Sequence, residues 1–217
     1  MAYWEWCKHK YLPILERLGA DARILELGCG PGHMVEFLTR SGFTRVSGID
    51  VSEEQIEMAK KRGINAQVIE ASEMLSGTEN SWDAIIAIDL VEHFYRDELL
   101  GFFTNIYNGL KCGGMLIIQT PNGQGLFPHQ VIYGDLTHLT IFTPSSLKQI
   151  LRLVGFEEIH FKETGPVPNR LLGKIRLLLW TLIKFSANTV RRIEAGKAQD
   201  IWSENIICYC HKPHQAS

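Results

Sequence analysis

Two groups of acidic and imidazole side chains have the residue types that proton transfer or metal binding requires. The first contains Asp89, Glu92 and His93, and the second is centred on His138. A histidine has an ordinary pKa of about 6.5 and can act as a general base near neutral pH. Two carboxylates and two imidazoles could instead hold a divalent ion that acidifies and orients a hydroxyl group. The four residues are therefore candidates for a catalytic site, with His138 and His93 as the proton-transfer residues, or for a metal site.

A glycine-rich turn lies between a predicted strand and a predicted helix. It contains Gly28, Gly30 and Gly32, and Asp50 ends the next predicted strand. Such a turn lets the backbone approach a ligand closely, and an acid at the second strand end can accept hydrogen bonds from two ribose hydroxyls. A dinucleotide fingerprint requires glycine or alanine where this chain has His33, so that fingerprint fails. The pattern indicates a nucleotide-type cofactor other than a dinucleotide.

The elements that must position these residues alternate between strand and helix. Ser52 with Gln55 forms a capping-box pattern before a polar helix, and the loop over 120–143 is long enough to be functional or mobile. Predicted helices cover 33–40, 97–110 and 144–154, and predicted strands cover 24–27, 45–50, 66–69, 82–88, 115–119, 157–161 and 205–210. This alternation predicts a mostly parallel sheet covered on both faces.

Length and composition fit one globular domain. The chain has 217 residues, of which 45% are hydrophobic and 21% charged, and a net charge of −2. This charge argues against a nucleic-acid partner bound through bulk charge. The five cysteines contain no C-x-x-C pair, which disfavours a zinc ribbon and favours reduced thiols. Because no signal-peptide pattern is visible, we expect a cytoplasmic protein. The chain length predicts a single domain over 1–217.

Several segments resemble the class I S-adenosylmethionine (SAM)-dependent methyltransferases. Glu26 with the glycine turn resembles their motif I, 70–72 resembles the segment that meets the adenine ring, and 110–114 resembles their turn before strand five. The resemblance covers 20–160. It implies a Rossmann-like, seven-stranded, mostly parallel sheet with the last strand antiparallel and helices on both faces. A helical insertion is expected between strands six and seven.

The resemblance also implies roles for individual residues, with SAM as the cofactor. Asp50 would bind the ribose, and Glu26 with the glycine turn would hold the methionine end. The segment containing Ala71 and Ser72 would meet the adenine. Ile88, at the end of strand four, would lie against the cofactor.

The acid-x-x-Glu-His element at 89–93 and the segment 137–144 resemble ubiquinone-pathway O-methyltransferases and methyltransferases of bacterial polysaccharide clusters. The first element, with a distant histidine, also resembles the metal site of small-RNA 2′-O-methyltransferases. We therefore expect transfer of a methyl group to a hydroxyl of a small-molecule, sugar or lipid-linked acceptor. The alternatives are N-methylation of a small amine or amino sugar and a non-catalytic SAM-binding module that regulates a partner.

Two flanking segments complete the prediction: an N-terminal helix over 1–20 and a helical insertion or lid over 165–200. The second contains seven basic and two acidic residues, a formal charge of +5. On a helix, Arg170, Lys174, Lys184 and Arg191 share one stripe, and leucines and isoleucines cover the other side. This pattern fits a helix at the inner membrane face or over an anionic or lipid-linked substrate. It also fits, and more often indicates, a helix that packs its apolar face on the core and leaves its basic face in solvent.

Overall fold

The computed structural model describes residues 2–214, apart from the side chain of Ala2. Within them the strands are β1 Arg23–Leu27, β2 Arg45–Asp50, β3 Ala66–Val68, β4 Trp82–Ile88, β5 Leu110–Pro121, β6 Glu157–Glu163 and β7 Asn205–His211. They form one sheet in the order β3-β2-β1-β4-β5-β7-β6. Pairs among β1 to β5 are parallel, whereas β7 is antiparallel to β5 and to β6. The predicted sheet with an antiparallel last strand is confirmed.

The helices connect successive strands. They are α1 Ala2–Lys10, α2 Leu12–Leu15, α3 His33–Arg40, α4 Glu53–Lys61, α5 Ala71–Ser76, α6 Leu99–Gly109, α7 Pro128–Tyr133, α8 Pro144–Val154 and α9 Leu171–Ala195, with a 3-10 turn at Val91–His93. The Ser52 hydroxyl accepts a hydrogen bond from the N–H of Gln55, which is one half of the predicted capping box. None of the helices in the described chain is long and apolar enough to cross a membrane.

The sheet separates two hydrophobic cores. Successive side chains of β1 point to opposite faces, so Ile24 packs in the core that contains Phe37 of α3, and Leu25 in the core that contains Phe103 of α6. Since both faces are covered, the central strand β4 is apolar from Ala84 to Ile88. The predicted placement of helices on both faces is confirmed.

The structure differs from the prediction at the N-terminus and in the long loop. Two helices, α1 and α2, replace the single helix expected over 1–20. Pro13 lies at the start of α2, and its ring cannot continue a helix from α1 because it lacks an N–H and clashes with the preceding turn. The loop over 120–143 is shorter than expected, because β5 continues to Pro121 and α7 lies within it.

The helical insertion between β6 and β7 is confirmed as α9, but its orientation differs from the expectation of an exposed basic stripe or a packed apolar face. The Lys184 ammonium lies 2.7 Å from the Glu163 carboxylate of β6. The Asn188 side-chain oxygen accepts a hydrogen bond of 2.8 Å from the N–H of Gln199. Part of the predicted basic stripe therefore faces the protein, and the apolar side chains are exposed.

Candidate active site

The glycine turn after β1 takes backbone conformations that favour glycine. The φ angles of Gly28, Gly30 and Gly32 are +67°, +50° and +80°, in the left-handed region where a Cβ is strained. A Cβ on Gly28 would also lie 2.9 Å from Cδ1 of Leu90. The three positions therefore exclude side chains, and the turn presents bare backbone before α3.

The Asp50 carboxylate, at the end of β2, is oriented by two backbone groups. Its Oδ2 accepts a hydrogen bond of 2.8 Å from the N–H of Gly30, and its Oδ1 accepts one of 2.9 Å from the N–H of Ser52. Each carboxylate oxygen can accept about two hydrogen bonds, so each retains capacity for one more. Asp50 is half-buried, so it can offer two fixed acceptors to a pair of hydroxyl groups.

Glu26 lies near the end of β1, just before the glycine turn. It is buried, with 4% of its surface exposed. Its Oε2 has no hydrogen-bond partner within the part of the chain that the structure describes. Burial raises the pKa of Glu26 to about 8; a backbone hydrogen bond from Val35 opposes this shift, and the nearby Asp50 carboxylate adds to it. A buried carboxyl oxygen without a partner is costly. A cationic ligand group next to Glu26 would remove that cost.

The other predicted cofactor-binding residues follow β3 and β4. The Glu70 carboxylate accepts a hydrogen bond of 3.2 Å from the N–H of Ser72 and thereby caps α5. Ala71 and Ile88 are half-buried, and Ser72 is exposed. The carboxyl ends of parallel strands share one edge of a sheet, where such folds bind ligands. All of the predicted cofactor-binding residues therefore lie along the edge that carries the glycine turn.

Glu92, His93 and His138 come together beyond the end of β4. One possible ligand atom from each lies within 4.8 Å of the others, and the centroids of the two imidazole rings are 5.2 Å apart. The N–H groups of Leu139 and Thr140 both donate to the Glu92 carbonyl oxygen, at 2.8 and 2.9 Å. These bonds attach the loop carrying His138 to the turn carrying Glu92 and His93.

The Glu92 carboxyl group is buried and only half satisfied. Its Oε2 accepts a hydrogen bond of 3.0 Å from the Thr120 hydroxyl, whereas its Oε1 has no partner among the residues the structure describes. Burial raises the pKa of Glu92 to about 6. Its environment therefore favours a proton, a metal ion or another cationic group at Oε1.

Both histidines are oriented through Nδ1. The His138 Nδ1 lies 2.7 Å from the Val131 carbonyl oxygen, and the His93 Nδ1 lies 3.1 Å from the Thr137 carbonyl oxygen. A carbonyl oxygen can only accept, so these contacts assign the proton to Nδ1 in each ring. In the neutral rings, Nε2 then carries the free lone pair and can take a proton or bind a metal ion.

Asp89 does not join these three side chains, in contrast to the predicted set of four. The Gln119 Nε2 donates to both Asp89 oxygens at 3.1 Å, and the Tyr11 hydroxyl donates to the Gln119 Oε1 at 2.7 Å. Gln119 thereby fixes the orientation of the Asp89 carboxylate, which still interacts electrostatically with His138 and His93. Gln119 is not among the residues predicted from the sequence, although a glutamine at the end of an otherwise apolar strand is a usable signal.

A cavity of about 650 Å³ is lined by residues of α1, the segment after β6, the start of α9 and the segment before β7. Trp6 lines it and packs edge-to-face on Tyr11, with ring centroids 5.7 Å apart, and Tyr11 in turn donates its hydroxyl hydrogen bond to Gln119. Arg170 and Arg176 contribute two basic groups to its wall, and Glu5 and Glu204 contribute two acidic groups. The apolar part of the lining is formed by Trp6, Leu126, Phe127, Pro166, Val167, Leu172, Trp180 and Trp202.

Comparison with known proteins gives a consistent result at the level of family. Residues 3–160 match the family described as a methyltransferase domain. The chain is 35% identical over 191 residues to the mitochondrial ubiquinone biosynthesis O-methyltransferase of Rattus norvegicus, covering 78% of this chain and 53% of the relative. It is 29% identical over 171 residues to the sarcosine/dimethylglycine N-methyltransferase of Halorhodospira halochloris, covering 74% of this chain and 60% of the relative. The chain thus spans about half the length of these curated relatives.

Among solved structures, a SAM-dependent methyltransferase from Archaeoglobus fulgidus superimposes with a TM-score of 0.72 at 20% identity. The match covers 96% of this chain and 94% of that one. Helix α9 and the last strand lie beyond the residues matched by the family model, yet the structural match includes almost the whole chain. At this identity the likeness shows a shared fold.

Proposed function

The chain belongs to the class I SAM-dependent methyltransferases, and from this premise we propose that it transfers the methyl group of SAM to a hydroxyl oxygen. The acceptor we propose is a small-molecule, sugar or lipid-linked compound. The ubiquinone biosynthesis O-methyltransferase among the relatives supports an oxygen acceptor. The observation that carries the proposal is the His138 ring, whose Nδ1 contact with Val131 leaves Nε2 free to accept a proton.

The proposed SAM site extends from Glu26 to Asp50 along the sheet edge. Asp50 would accept hydrogen bonds from the ribose, and the glycine turn would admit the methionine end. Glu26, with its unpartnered buried Oε2, would face the ammonium group. Ala71, Ser72 and Ile88 would contact the adenosine. When bound, SAM supplies a methyl group activated for in-line displacement, and the chain must align the acceptor oxygen with it.

The chain's own part in the proposed reaction is to hold the acceptor and remove its proton. His138 would accept the hydroxyl proton on Nε2 and hold it until it is released to solvent. His93, 5.2 Å away between ring centroids, would help to position the acceptor. A general base of this kind contributes a factor of about 10² to 10⁴ in rate.

A metal-assisted version of the same reaction is the second candidate. The unpartnered Glu92 Oε1 and the free Nε2 atoms of His93 and His138 form a donor set that suits a first-row divalent ion. The Val131 and Thr137 carbonyls would orient the two imidazoles, as outer-shell groups do in metal sites. These residues would then lower the pKa of the acceptor hydroxyl through the ion and leave the proton to solvent.

The 650 Å³ cavity is the proposed acceptor site. Its aromatic lining suits an apolar acceptor body, and Arg170 and Arg176, both at the start of α9, suit an anionic linkage such as a phosphate on that side of the cavity, with Glu5 and Glu204 elsewhere in the lining. This combination supports an acceptor larger than a simple amino acid.

The test is transfer of isotope-labelled methyl groups by the purified chain to two probe acceptors, a catechol and sarcosine. We expect label on a catechol oxygen and none on sarcosine. Transfer to sarcosine alone would replace the proposal by N-methylation. Each assay is repeated after treatment with a chelator and after restoring divalent ions. Loss and recovery of turnover selects the metal-assisted version, and unchanged turnover selects His138 as the base.

A further inference from the structure

Helix α9 lies on the protein through its polar residues. It is 25 residues long, and none of them is buried. Its contacts are made at Glu163, whose Oε2 accepts hydrogen bonds from the Trp180 indole at 3.2 Å and from the Lys184 ammonium at 2.7 Å. Asn188 adds the hydrogen bond from Gln199. Residues 180, 184 and 188 are four positions apart and therefore lie on the same side of the helix. This side, which carries the hydrogen-bonding groups, faces the protein.

The opposite face of α9 is apolar and exposed. It contains Leu171, Ile175, Leu178, Leu182 and Ile193, whose spacing places them on a single face. Between 45% and 83% of the surface of each is accessible. Phe185, Leu172 and Val190 extend this surface on both sides. A contiguous apolar patch of this kind on a folded protein marks an interaction surface.

Basic residues flank the apolar face, and this charge distribution restricts what can cover it. Lys174, Arg176 and Arg192 are exposed, and Glu194 is the only acidic residue of α9. If two copies paired antiparallel through this face, Lys174 of one would approach Arg192 of the other. Like charges in such positions are repulsive. The charges complement an anionic surface instead.

We propose that α9 docks on an anionic lipid bilayer, with its apolar face inserted among the acyl chains and its flanking basic residues on the headgroups. A helix with an apolar face bordered by Lys and Arg binds lipid interfaces in this way. Burying the leucine side chains supplies the apolar contribution. The basic residues supply an electrostatic contribution that salt weakens.

The position of α9 gives this docking a consequence for the cavity. Arg170, Leu172, Gly173 and Arg176, at the start of the helix, line the 650 Å³ cavity. Docking would therefore bring one wall of that cavity to the bilayer surface, where a lipid-linked compound is available. The docking itself requires no methyl transfer, so it can be tested separately from the proposed function.

The experiment is co-sedimentation of the full chain with vesicles of equal parts phosphatidylglycerol and phosphatidylcholine, and with pure phosphatidylcholine vesicles. Three triple variants are compared with wild type. The first replaces the basic residues Lys174, Arg176 and Arg192 by Gln, and the second replaces the apolar residues Ile175, Leu178 and Leu182 by Gln. The matched control replaces Arg17, Lys60 and Arg152, three exposed basic residues of other elements, by Gln. The SAM affinity of every variant is also measured, as a control that its fold is intact.

We expect wild type and the matched control to sediment with anionic vesicles and to be released at about 0.5 M salt. The basic variant should lose about 100-fold in partitioning, and the apolar variant at least as much. Equal partitioning of the basic variant and wild type would overturn the proposal, as would absence of wild-type binding to anionic vesicles. A concentration-dependent dimer that the apolar variant abolishes, without vesicle binding, would assign the face to a second copy.

Discussion

The carboxyl edge of the sheet and helix α9 leave opposite kinds of groups without partners. At the edge, apolar strands carry Glu26 and the following turn carries Glu92, each with one buried oxygen that lacks a hydrogen bond in the described chain. On α9, Lys184 and Asn188 each make a hydrogen bond to the rest of the protein, Arg191 Nε is buried without a partner among the described residues, and the apolar side chains have no cover. Each region lacks what its proposed ligand would provide: a polar cofactor at the edge and a lipid surface at the helix.

The two regions also differ in burial, from which we expect a difference in local stability. Asp50 and Glu26 lie on β2 and β1, which both have a neighbouring strand on each side, and the residues around them are mostly buried. Helix α9 has no buried residue, so little apolar burial opposes its local opening. Changes at the edge should therefore affect ligand binding and chemistry, and changes on α9 should affect docking and local stability.

The largest expected effect is that of His138→Ala on methyl transfer. Removing the free Nε2 should lower kcat by about 100-fold or more, because it removes either the general base or one metal ligand. SAM affinity should remain within about threefold, since His138 is not among the proposed SAM contacts. The measurement is turnover of labelled SAM with the probe acceptor that wild type methylates.

His129→Ala provides the control for this prediction, because His129 is an exposed histidine of α7 in the same loop. It should retain wild-type kcat. Full activity in His138→Ala would remove this residue from the reaction in both the proton-transfer and the metal-assisted versions.

The next effect is that of Asp50→Ala on SAM binding. The variant loses two acceptor atoms and the bonds that orient Gly30 and Ser52, and hydrogen bonds to a charged group contribute about 1.5 to 3 kcal/mol. Calorimetry should show SAM affinity reduced by about 10- to 100-fold. Asp21→Ala, a change at an exposed acid, should bind as wild type does. Equal affinity in Asp50→Ala and wild type would exclude Asp50 from the site.

A smaller effect concerns protons at Glu26. With a pKa of about 8, the free protein carries Glu26 protonated at pH 7, and an adjacent ammonium would favour the ionised form. SAM binding should then release close to one proton, and affinity should rise nearly tenfold between pH 6 and pH 7. Calorimetry in buffers of different ionisation enthalpy measures the release.

The Glu26→Gln variant cannot titrate, so its SAM affinity should vary much less over the same pH range. The free protein provides a second readout. Because the folded-state pKa of Glu26 lies above that of the unfolded chain, wild type should lose stability as pH rises from about 4.5 towards 8. Glu26→Gln should show a flatter dependence. Identical proton release in both proteins would place the ammonium group elsewhere.

The edge of the sheet could be predicted from the sequence because its signals are local. The glycine turn, Glu26 and Asp50 are each recognisable from a few neighbouring residues, and the parallel topology then brings them to one edge. Gln119 and the exclusion of Asp89 from the histidine cluster could not be predicted, since their bond joins residues 30 apart in sequence. A periodic pattern does not give such side-chain pairings.

The orientation of α9 could not be predicted from the sequence, for a similar reason. Its periodicity correctly predicts a helix with a polar and an apolar side, but periodicity does not state which side packs on the protein. That choice is set by Glu163. Its carboxylate accepts hydrogen bonds from the side chains of Trp180 and Lys184 on α9 and from the backbone N–H of Trp202. The last and smallest predicted effect is that of a substitution at one of these residues.

Lys184→Met should loosen α9 without affecting the site. The Lys184–Glu163 pair is only partly buried, with 27% and 17% of the side chains accessible, so its loss should cost about 1 kcal/mol or less. Because α9 has no buried residue, that loss should appear as local opening, with faster amide hydrogen exchange over 171–195. The global unfolding midpoint and SAM affinity should stay close to wild type. Lys174→Met, on the exposed flank of the same helix, removes the same charge and should leave exchange unchanged. Equal exchange in both variants would mean that α9 is held by something other than the Glu163 contacts, and the contrast between the two regions would lose its structural basis.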